Sequence, residues 1–302
     1  MTVTLAPETL QRLELLWEAL PADRAEIRGG GLPPELARRY GGPLLVGLRP
    51  DRPTVIANLV STIDGIVALG PGELSGGRVV SGSHEPDRFV MALLRALADV
   101  VLVGAGTLRQ SSSQRWTAEH LQPKLAPAFE DWRRAMGLAP RPMTVIVTTS
   151  GDIPVEHPGL TSPDIRVVVA TSLDGARRLA HRGLTDNISL EVLGGAGALD
   201  GASSLDAAAI VELVGRLGAR VALAEGGPHA LGELVGADLV DELFLTVSPQ
   251  LVGRADPARL GLVEGVAVPP GSRWQELASV RRSTDHLFLR YRRASIAAAT
   301  EA

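Results

Sequence analysis

The chain has 302 residues, of which 45% are hydrophobic and 21% charged, a balance typical of a folded globular protein with one large domain or two ordinary ones. Thirty basic and thirty-four acidic side chains give a net charge of −4, so no global basic field attracts nucleic acid or an anionic membrane. We therefore expect partners that are small molecules or copies of the chain itself, and the absence of cysteine excludes disulfides, thiolate nucleophiles and Cys-ligated metals.

Counts of single residue types argue against several other classes of protein. The only lysine, Lys124, lies in a proline-flanked loop, which argues against a P-loop and against a pyridoxal Schiff base. The six histidines have no metal-ligand spacing, so no metal site is expected. No apolar run reaches the roughly 18 residues of a membrane helix, and no secretory pattern is present, so a cytoplasmic location is expected.

The first 48 residues predict an N-terminal extension. Apolar side chains recur at helical spacing over residues 7–20, and glycines and prolines dominate residues 29–43. We therefore predict a helix followed by a linker, both packed on a main domain at 49–296, with a disordered tail at 297–302.

The main body alternates two kinds of segment. Short runs rich in valine, isoleucine and leucine are typical of strands buried on both faces of a sheet; these are PTVIANLVS, DVVLVG, MTVIVTT, IRVVVA, SLEVLG and RVALAEG. Helical periods lie between them, in EPDRFVMALLRALA, DGARRLAHRG, LDAAAIVELVGRLGA and PHALGELVGADL. Such alternation predicts a mainly parallel central sheet with helices on both faces. DELFLTVSPQLVG and SVRRSTDHLFLRYRR predict two further strands and an antiparallel C-terminal edge.

Polar residues interrupt the first strand of this body and the segment after it. Asn58 lies inside an apolar strand, where a buried amide needs a partner or a ligand. Asp64 precedes a glycine and is either a turn former or a polar site residue. In SGSHEPDRF, Ser83 is predicted to cap the next helix, and Ser81 is a candidate for a second role.

Three strand ends carry glycine clusters, at residues 101–109, 190–200 and 224–234. Ligands of open parallel sheets bind beyond the carboxyl ends of the strands, where helix N-termini point. Each cluster alone is compatible with an ordinary turn, but together they indicate a long anionic ligand.

The third cluster, AEGGPHALGEL, is suited to binding a phosphate. Gly226 and Gly227 remove side chains where a ligand approaches, and Pro228 fits the first helical turn. The free amides of that turn and the helix dipole favour an anion. Glu225 is expected to face the substrate pocket or to bond backbone amides, and His229 is a capping or ligand candidate.

The first cluster offers a second cradle in Gly104, Ala105, Gly106 and Thr107, whose hydroxyl is available to a phosphate or a nicotinamide carboxamide. It lacks the last glycine of GxGxxG and is not a Rossmann fingerprint. The segment that follows, residues 109–142, is too long for a simple connector and predicts a lid or a substrate loop.

In order and spacing, RPTVIANLVSTIDGIVA, LLRALADVVLVGAGTLR and RVALAEGGPHALGELVGADLVDELFLTVSPQLVG resemble the reductase domain of riboflavin biosynthesis. This is the C-terminal domain of the bifunctional deaminase-reductase and is similar in fold to dihydrofolate reductase. The resemblance covers about residues 52–295 and is most specific at VGAGT and EGGPxxxGxLxxxxLVDEL. It implies a homodimeric enzyme that reduces 5-amino-6-(5-phosphoribosylamino)uracil with NADPH.

The resemblance also implies site residues. Glu225 and Arg95 would contact the substrate, with Asn58 and Ser81 as further substrate candidates. The Gly226–Gly227 peptide would be cis. The implied cofactor contacts, together with the cradle described above, are Gly104, Ala105, Gly106, Thr107, Thr149, Ser150, Gly226, Gly227, Pro228, His229, Ala230, Leu231 and Gly232.

This chain departs from the family pattern in three places. Bifunctional members usually carry lysine where Asn58 stands, and a tryptophan where Val79 stands. LRQSSSQRW replaces a VLADDP-type segment, so Ser111 occupies the acidic position and Arg115 is the nearest arginine for a substrate phosphate. Cofactor use is therefore better supported than the identity of the substrate.

The implied chemistry is hydride transfer from the nicotinamide to an imine-like C1′, with Asp64 and Glu225 as polar anchors and water as the proton donor. Three alternatives remain open: a reductase of another heterocycle such as a dihydropterin, a non-catalytic nucleotide-binding protein on the same fold, and a phosphate-binding transferase.

Overall fold

A computed structural model describes residues 12–19, 26–70, 76–194 and 205–294 of the chain. The described strands are β1 (Glu14–Glu18), β2 (Ile27–Arg28), β3 (Val46–Gly47), β4 (Thr54–Thr62), β5 (Ile66–Ala68), β6 (Val100–Gly104), β7 (Met143–Thr148), β8 (Val167–Thr171), β9 (Ile188–Val192), β10 (Val221–Ala224), β11 (Glu242–Ser248), β12 (Leu260–Gly261), β13 (Gln275–Ser283) and β14 (His286–Arg293). The described helices are α1 (Pro34–Tyr40), α2 (Gly77–Val80), α3 (Glu85–Leu97), α4 (Ala105–Gln110), α5 (Ala118–Leu121), α6 (Ala126–Ala135), α7 (Pro158–Thr161), α8 (Leu173–Leu179), α9 (Ala207–Arg216) and α10 (Pro228–Gly236).

One large sheet has the strand order β1-β13-β14-β11-β4-β10-β6-β7-β8-β9. The seven strands from β11 to β9 run parallel to one another, whereas β14, β13 and β1 pair antiparallel at the other edge. The predicted fold class is therefore confirmed. The second C-terminal segment contains two strands, β13 and β14, joined as a hairpin, where one strand was predicted.

Helices cover both faces of the sheet because alternate residues of each buried strand point to opposite sides. On β6, Val101 and Val103 pack in the cluster that contains α3, and Val100 and Leu102 pack in the cluster that contains α9. Because both faces of these strands are buried, their sequences are nearly continuous apolar runs.

The N-terminal segment joins the main sheet. The helix predicted over residues 7–20 is wrong for Glu14–Glu18, which form β1 and pair with β13; residues 7–11 and 20 lie outside the described part of the chain. The exposed backbone of the β13 edge supplies pairing partners that local periodicity cannot reveal. The only described helix of this extension, α1, lies in the segment predicted as linker, and its Leu36 and Tyr40 belong to the main core.

Arg281 of β13 holds this segment in place. Its guanidinium donates to the backbone oxygen of Tyr40 at 2.9 Å, to Ser279 Oγ at 2.7 Å and to Glu18 Oε1 at 3.0 Å, and it lies 4.0 Å from the centre of the Tyr40 ring. Because Arg281 is only 1% exposed, these contacts compensate a buried charge.

Residues 109–142 are not the open lid that their length predicts. They contain the end of α4, then α5 and α6, and Phe129 and Trp132 of α6 are buried in the core with α3. Tryptophan and phenylalanine at helical spacing carry this packing.

Among the described residues, no helix combines the length and the hydropathy needed to cross a membrane.

Candidate active site

The carboxyl ends of four neighbouring strands place the predicted site residues along one edge of the sheet. β4 leads to Asp64, β10 to Glu225, β6 to Gly104 and β7 to Thr149. The register pairs Ala224 with both Ala57 and Leu102. The residues predicted to bind one ligand are therefore brought to one side of the molecule, beyond the strand ends.

The loop between β10 and α10 presents free amides at a helix N-terminus. Gly227 is the N-cap of α10, and no side chain caps this end. No described residue accepts a hydrogen bond from the amides of Gly226, Gly227 or Ala230, whereas the Glu225 amide bonds the Leu102 carbonyl at 3.0 Å. Such unpaired amides at a helix start form an anion site.

The glycines of this loop are not equivalent. A Cβ at Gly227 would meet no atom within 4 Å, but one at Gly226 would lie 2.6 Å from the Ala230 Cβ. A Cβ at Gly232 would lie 2.0 Å from the Glu264 carbonyl oxygen. A glycine is therefore needed at position 232 so that α10 can pack against the segment around Glu264. At Gly227, in contrast, the backbone faces open space.

The expected cis peptide between Gly226 and Gly227 is wrong, since the described backbone contains no cis peptide bond.

The GAGT segment, residues 104–107, forms a second stretch of open backbone beside the loop between β10 and α10. Gly104 is the N-cap of the short helix α4, without a side-chain cap, and a Cβ at Gly104 or Gly106 would meet no atom within 4 Å. Thr107 lies in the first turn of this helix and is half-buried. The structure therefore places two open backbone segments after the adjacent strands β6 and β10.

Thr149 and Ser150 follow β7 in a loop that is fixed to α8. Ser172 Oγ donates to the Thr149 carbonyl at 2.7 Å, and Arg178 Nη1 donates to the Ser150 carbonyl at 2.6 Å. Arg109 Nη1 donates to the Asp152 carbonyl at 2.7 Å in the same loop. Two exposed guanidinium groups thus border the predicted phosphate contact, a feature that the sequence reasoning missed.

Most of the second glycine cluster, over residues 195–200, lies outside the described residues.

Glu225 and Arg95 form a buried bidentate ion pair. Arg95 Nε lies 2.7 Å from Glu225 Oε1, and Arg95 Nη2 lies 2.6 Å from Glu225 Oε2. Arg95 also donates to the carbonyls of Arg115 and Thr117 at 3.1 and 3.3 Å, and its side chain is fully buried. The two predicted substrate contacts are therefore brought together, with Arg95 fixing the orientation of the Glu225 carboxylate.

Asn58 is half-buried on β4 opposite Phe244 of β11, and its side-chain amide makes no hydrogen bond with any described residue. An amide in this state can donate and accept at once. That Asn58 needs a partner or a ligand stays a prediction, because its half-buried amide has no partner among the described residues.

Asp64 anchors a turn. The turn is closed by the Gly65 amide, which bonds the Thr62 carbonyl at 3.0 Å, and Asp64 Oδ2 accepts from the Gly253 amide at 2.6 Å. The hydrogen bond with the Thr62 side chain, followed by those from the backbone amides, lowers the pKa of Asp64, whose side chain is exposed to solvent. Asp64 is thus held as a carboxylate, suited to anchoring and not to donating a proton.

Ser81 belongs to a buried polar cluster that also contains Asp87 of α3 and Thr246 of β11. The side chains of Thr246 and Ser81 lie beside the Asp87 carboxyl, and the three residues are 1–6% exposed. The Ser81 hydroxyl donates to the Arg78 carbonyl at 3.4 Å. Burial raises the pKa of Asp87 to about 6, and the nearby charge of Glu225 acts in the same direction. Sequence reasoning missed Asp87 because an acid in a first helical turn normally interacts with the helix dipole at the surface.

Two stacked histidines adjoin this cluster. The rings of His84 and His286 are 3.8 Å apart and nearly parallel, and His286 Nε2 lies 3.1 Å from the Ser81 carbonyl oxygen. Burial, and then the charge of His286, lower the pKa of His84 to about 4. The predicted cap is wrong, since His84 and not Ser83 is the N-cap of α3, and Ser83 Oγ instead accepts from Arg78.

Positive charge collects beside the Glu225–Arg95 pair. Burial, and then the charges of Arg95, Arg115 and Arg88, lower the pKa of His120. Arg88 Nη2 donates to the Leu121 carbonyl at 3.3 Å, and no described carboxylate forms an ion pair with Arg88 or Arg115. These exposed guanidinium groups are available to an anion, and only Arg115 was expected from the sequence.

The described residues contain no group of three or more His, Asp or Glu side chains that could hold a metal. A dinucleotide, in contrast, fits the site, because an added Cβ would meet no atom within 4 Å at Gly104 or Gly227, and the amides of Gly226, Gly227 and Ala230 have no acceptor among the described residues.

Comparisons with known proteins identify the family to which the chain belongs. Residues 53–288 match the family model described as the RibD C-terminal domain. A 2,5-diamino-6-ribosylamino-4(3H)-pyrimidinone 5′-phosphate reductase from Archaeoglobus fulgidus is 25% identical over 207 residues, which cover 68% of this chain and 84% of that protein.

Solved structures share the fold. A pyrimidine reductase-like protein from Corynebacterium diphtheriae has a TM-score of 0.61 at 18% identity, covering 80% of this chain and 92% of that one. RibD from Acinetobacter baumannii has a TM-score of 0.57 at 18% identity, covering 81% of this chain, which spans only 59% of RibD. The riboflavin biosynthesis reductase Rib7 from Saccharomyces cerevisiae has a TM-score of 0.53 at 15% identity, covering 86% of this chain and 99% of that one.

Proposed function

Because the chain belongs to the RibD C-terminal domain family, we propose that it is an NADPH-dependent reductase of riboflavin biosynthesis. The substrate proposed is 5-amino-6-(5-phosphoribosylamino)uracil, reduced at C1′ of the ribosylamine. The observation that carries the proposal is the pair of open backbone segments at Gly104 and Gly227, adjacent to the fixed carboxylate of Glu225.

The chain's own groups would hold the cofactor along the sheet edge. The amides of Gly226, Gly227 and Ala230 would donate hydrogen bonds to phosphate oxygens at the start of α10, where the helix dipole favours negative charge. Thr107 lies at the neighbouring opening, and Thr149 and Ser150 lie two strands away from Glu225 toward β7. The bound nicotinamide supplies the hydride.

Protein groups on the α3 side of the sheet would hold the substrate. Glu225, fixed by Arg95, accepts hydrogen bonds from the heterocycle, and the free amide of Asn58 pairs with its other polar edge. Arg115 and Arg88 receive the ribosyl phosphate. Orientation of the acceptor carbon against the cofactor is the main contribution of such a rigid frame.

A second substrate is supported by one observation. The Archaeoglobus relative, of which 84% is covered, is named for the 2,5-diamino pyrimidinone, which differs from the proposed substrate at one ring position. The two compounds present opposite hydrogen-bonding character there, because an amino group donates and an oxo group accepts.

Turnover assays separate these possibilities. Purified protein and NADPH are incubated with the uracil, with the diamino pyrimidinone or with dihydrofolate, and loss of NADPH absorbance is recorded. The proposal expects oxidation that depends on one of the two ribosylamino phosphates. Activity with dihydrofolate alone, or NADPH binding without any turnover, would contradict the proposal in favour of another heterocycle or of a non-catalytic nucleotide-binding protein.

We further propose that the protein acts as a cytoplasmic homodimer. Support comes from the edge strand β1, whose Leu15, Leu16 and Trp17 are exposed apolar side chains. Light scattering of the eluting protein measures the mass directly, and a mass of one chain at micromolar concentration would contradict the dimer.

A further inference from the structure

The resemblance implies that Arg95 contacts the substrate, but every N–H of its guanidinium already has an acceptor within the chain. Nε and Nη2 donate to the two carboxylate oxygens of Glu225 at 2.7 and 2.6 Å. Nη1 donates to the carbonyls of Arg115 and Thr117 at 3.1 and 3.3 Å. With the Gln114 amide oxygen turned toward the guanidinium, Nη2 donates to that oxygen as well, at 2.7 Å. Because these bonds use all five donors of a fully buried side chain, Arg95 can act on a substrate only through its partners.

The carbonyls that Arg95 holds belong to the segment 111–117, SSSQRWT, where the chain departs from the family pattern. This segment joins α4 to α5 without regular secondary structure. Trp116 is 1% exposed and is anchored in the core, whereas the side chain of Arg115 is exposed. Since the carbonyls on both sides of Trp116 bond one guanidinium, moving the segment would break buried hydrogen bonds. Arg115 is therefore presented from a backbone that Arg95 fixes.

A second set of contacts fixes the same segment from the α7 side. His157 Nδ1 accepts from the Gly159 amide at 3.0 Å, so Nε2 carries the hydrogen and donates to the Ser111 carbonyl at 2.6 Å. A Cβ at Gly159 would lie 2.5 Å from the Gln114 carbonyl oxygen and 2.6 Å from the Trp116 ring. The segment is thus packed between α7 and the Arg95 guanidinium, and Arg95 is the group that links it to Glu225.

We propose that Arg95 is a positioning residue that sets the spacing between Glu225 and Arg115, and that it makes no contact with the substrate itself. The inference rests on the proposed function, in which Glu225 binds the heterocycle and Arg115 the ribosyl phosphate. A ligand that carries both groups meets both partners at once only if their separation is fixed before it binds. One buried guanidinium provides this, because it bonds the carboxylate on one side and the Arg115 backbone on the other.

Arg95→Lys tests the spacing while it keeps a positive charge beside Glu225. An ammonium group is a point charge with three donors, so it cannot bond both carboxylate oxygens and the two carbonyls in the geometry of the guanidinium. The matched control is Arg290→Lys on β14. Arg290 is also buried, donates to Glu242 at 2.8 Å and to the Leu45 carbonyl at 2.6 Å, and belongs to no part of the proposed site.

Steady-state kinetics with the substrate that the wild type reduces give the first readout. Arg95→Lys should raise KM by about 30-fold and lower kcat by about 10-fold, because the substrate binds and is oriented less well. The Kd for NADPH should stay within about two-fold of wild type, since the free amides of the cofactor loop are unaltered. Arg290→Lys should keep the wild-type KM and kcat. Wild-type KM and kcat in Arg95→Lys would overturn the proposal.

A double-mutant comparison separates positioning from a structural role. Arg115→Ala should lower kcat/KM by about 30-fold in the wild type but by less than about three-fold in Arg95→Lys, where Arg115 is no longer held at the phosphate. If Arg95 only stabilised the fold, Tm would fall and Arg115→Ala would have the same effect in both backgrounds. Equal factors would therefore overturn the proposal.

Fluorine NMR follows the 111–117 segment without turnover. Protein labelled with 5-fluorotryptophan has one resonance for each of its four tryptophans, and Trp116→Phe identifies that of Trp116. Arg95→Lys should shift the Trp116 resonance, and Arg290→Lys should leave it in place. If the resonance is unmoved in Arg95→Lys, the inference fails even if the protein is an active reductase. If it moves but no ribosylamino phosphate is reduced, the proposed function fails and the link between Arg95 and the segment stands.

Discussion

Gly232 and Gly227 are five residues apart and have opposite surroundings. The first faces the Glu264 carbonyl at a distance that excludes a side chain, and the second faces open space. Sequence shows that both are glycine, and the resemblance assigned both to cofactor binding, but only the folded position of residue 264 separates packing from ligand access.

Gly232→Ala should therefore destabilise the fold. Its Cβ would lie 2.0 Å from a backbone oxygen, so α10 or the 264 segment must shift, at a cost of about 1–3 kcal/mol in the free energy of unfolding. Urea unfolding monitored by circular dichroism measures this cost. An unchanged midpoint would show that the two segments are not packed as described.

The Asp87 carboxyl should make stability depend on pH with a definite sign. Its pKa rises from 3.8 to about 6 on folding, so the folded state binds the extra proton between these values. The stabilisation is complete below 3.8 and is lost as the pH rises through about 6, with a total of up to about 3 kcal/mol.

The free energy of unfolding of wild type minus that of Asp87→Asn should thus fall as pH increases across this window. His84, whose lowered pKa has the opposite effect, is present in both proteins and cancels in the difference. Urea unfolding of both proteins at a series of pH values gives the difference. A constant difference would contradict the buried acid.

At the level of elements, the parallel strands and their helices were predictable and the N-terminal strand was not. β4, β6, β7, β8, β9 and β10 are apolar over runs that local sequence reveals. β1 forms because β13, more than 250 residues later, leaves its edge open. Pairing at such separation is set by tertiary contacts and leaves no periodic signal.

Two glutamates of β1 give a matched test of its docking. Glu18 bonds Arg281, which is 1% exposed, whereas Glu14 bonds Arg282 with both side chains more than half exposed. Glu18→Ala leaves a buried charge partly uncompensated and should cost about 3 kcal/mol, but Glu14→Ala should cost less than about 1 kcal/mol. Equal costs in urea unfolding would show that β1 is not held by Arg281.

The loop between β7 and α8 should set the choice between NADPH and NADH. Arg178 bonds the Ser150 carbonyl and borders the proposed site of the adenosine phosphate. Arg178→Ala should raise the Kd for NADPH about ten-fold and leave that for NADH unchanged, because only NADPH carries the extra phosphate. The control is Arg177→Ala, which removes only the exposed ion pair with Asp174. An equal loss of affinity for NADPH and NADH in Arg178→Ala would contradict the assignment.

Across the whole molecule, the site is distributed over strands that are distant in sequence and adjacent in the sheet. Glycine clusters and the EGGP motif predict the proposed cofactor side, because backbone exposure depends on local residue type. The proximity of Thr246 to Asp87 could not be found in this way, since Thr246 is brought there by the pairing of β11 with β4.

The central claim is that unpaired main-chain amides at the sheet edge hold the cofactor, and NADPH binding to Gly227→Val tests it most directly. Gly227 has φ −69° and ψ −179°, which valine adopts without strain, and Gly30→Val is an equally open control far from the site in sequence. Titration by NADPH fluorescence should show at least about 100-fold weaker binding for Gly227→Val, equivalent to about 2.8 kcal/mol, with Tm and the Gly30→Val control unchanged. Wild-type affinity in a folded Gly227→Val protein would contradict the account.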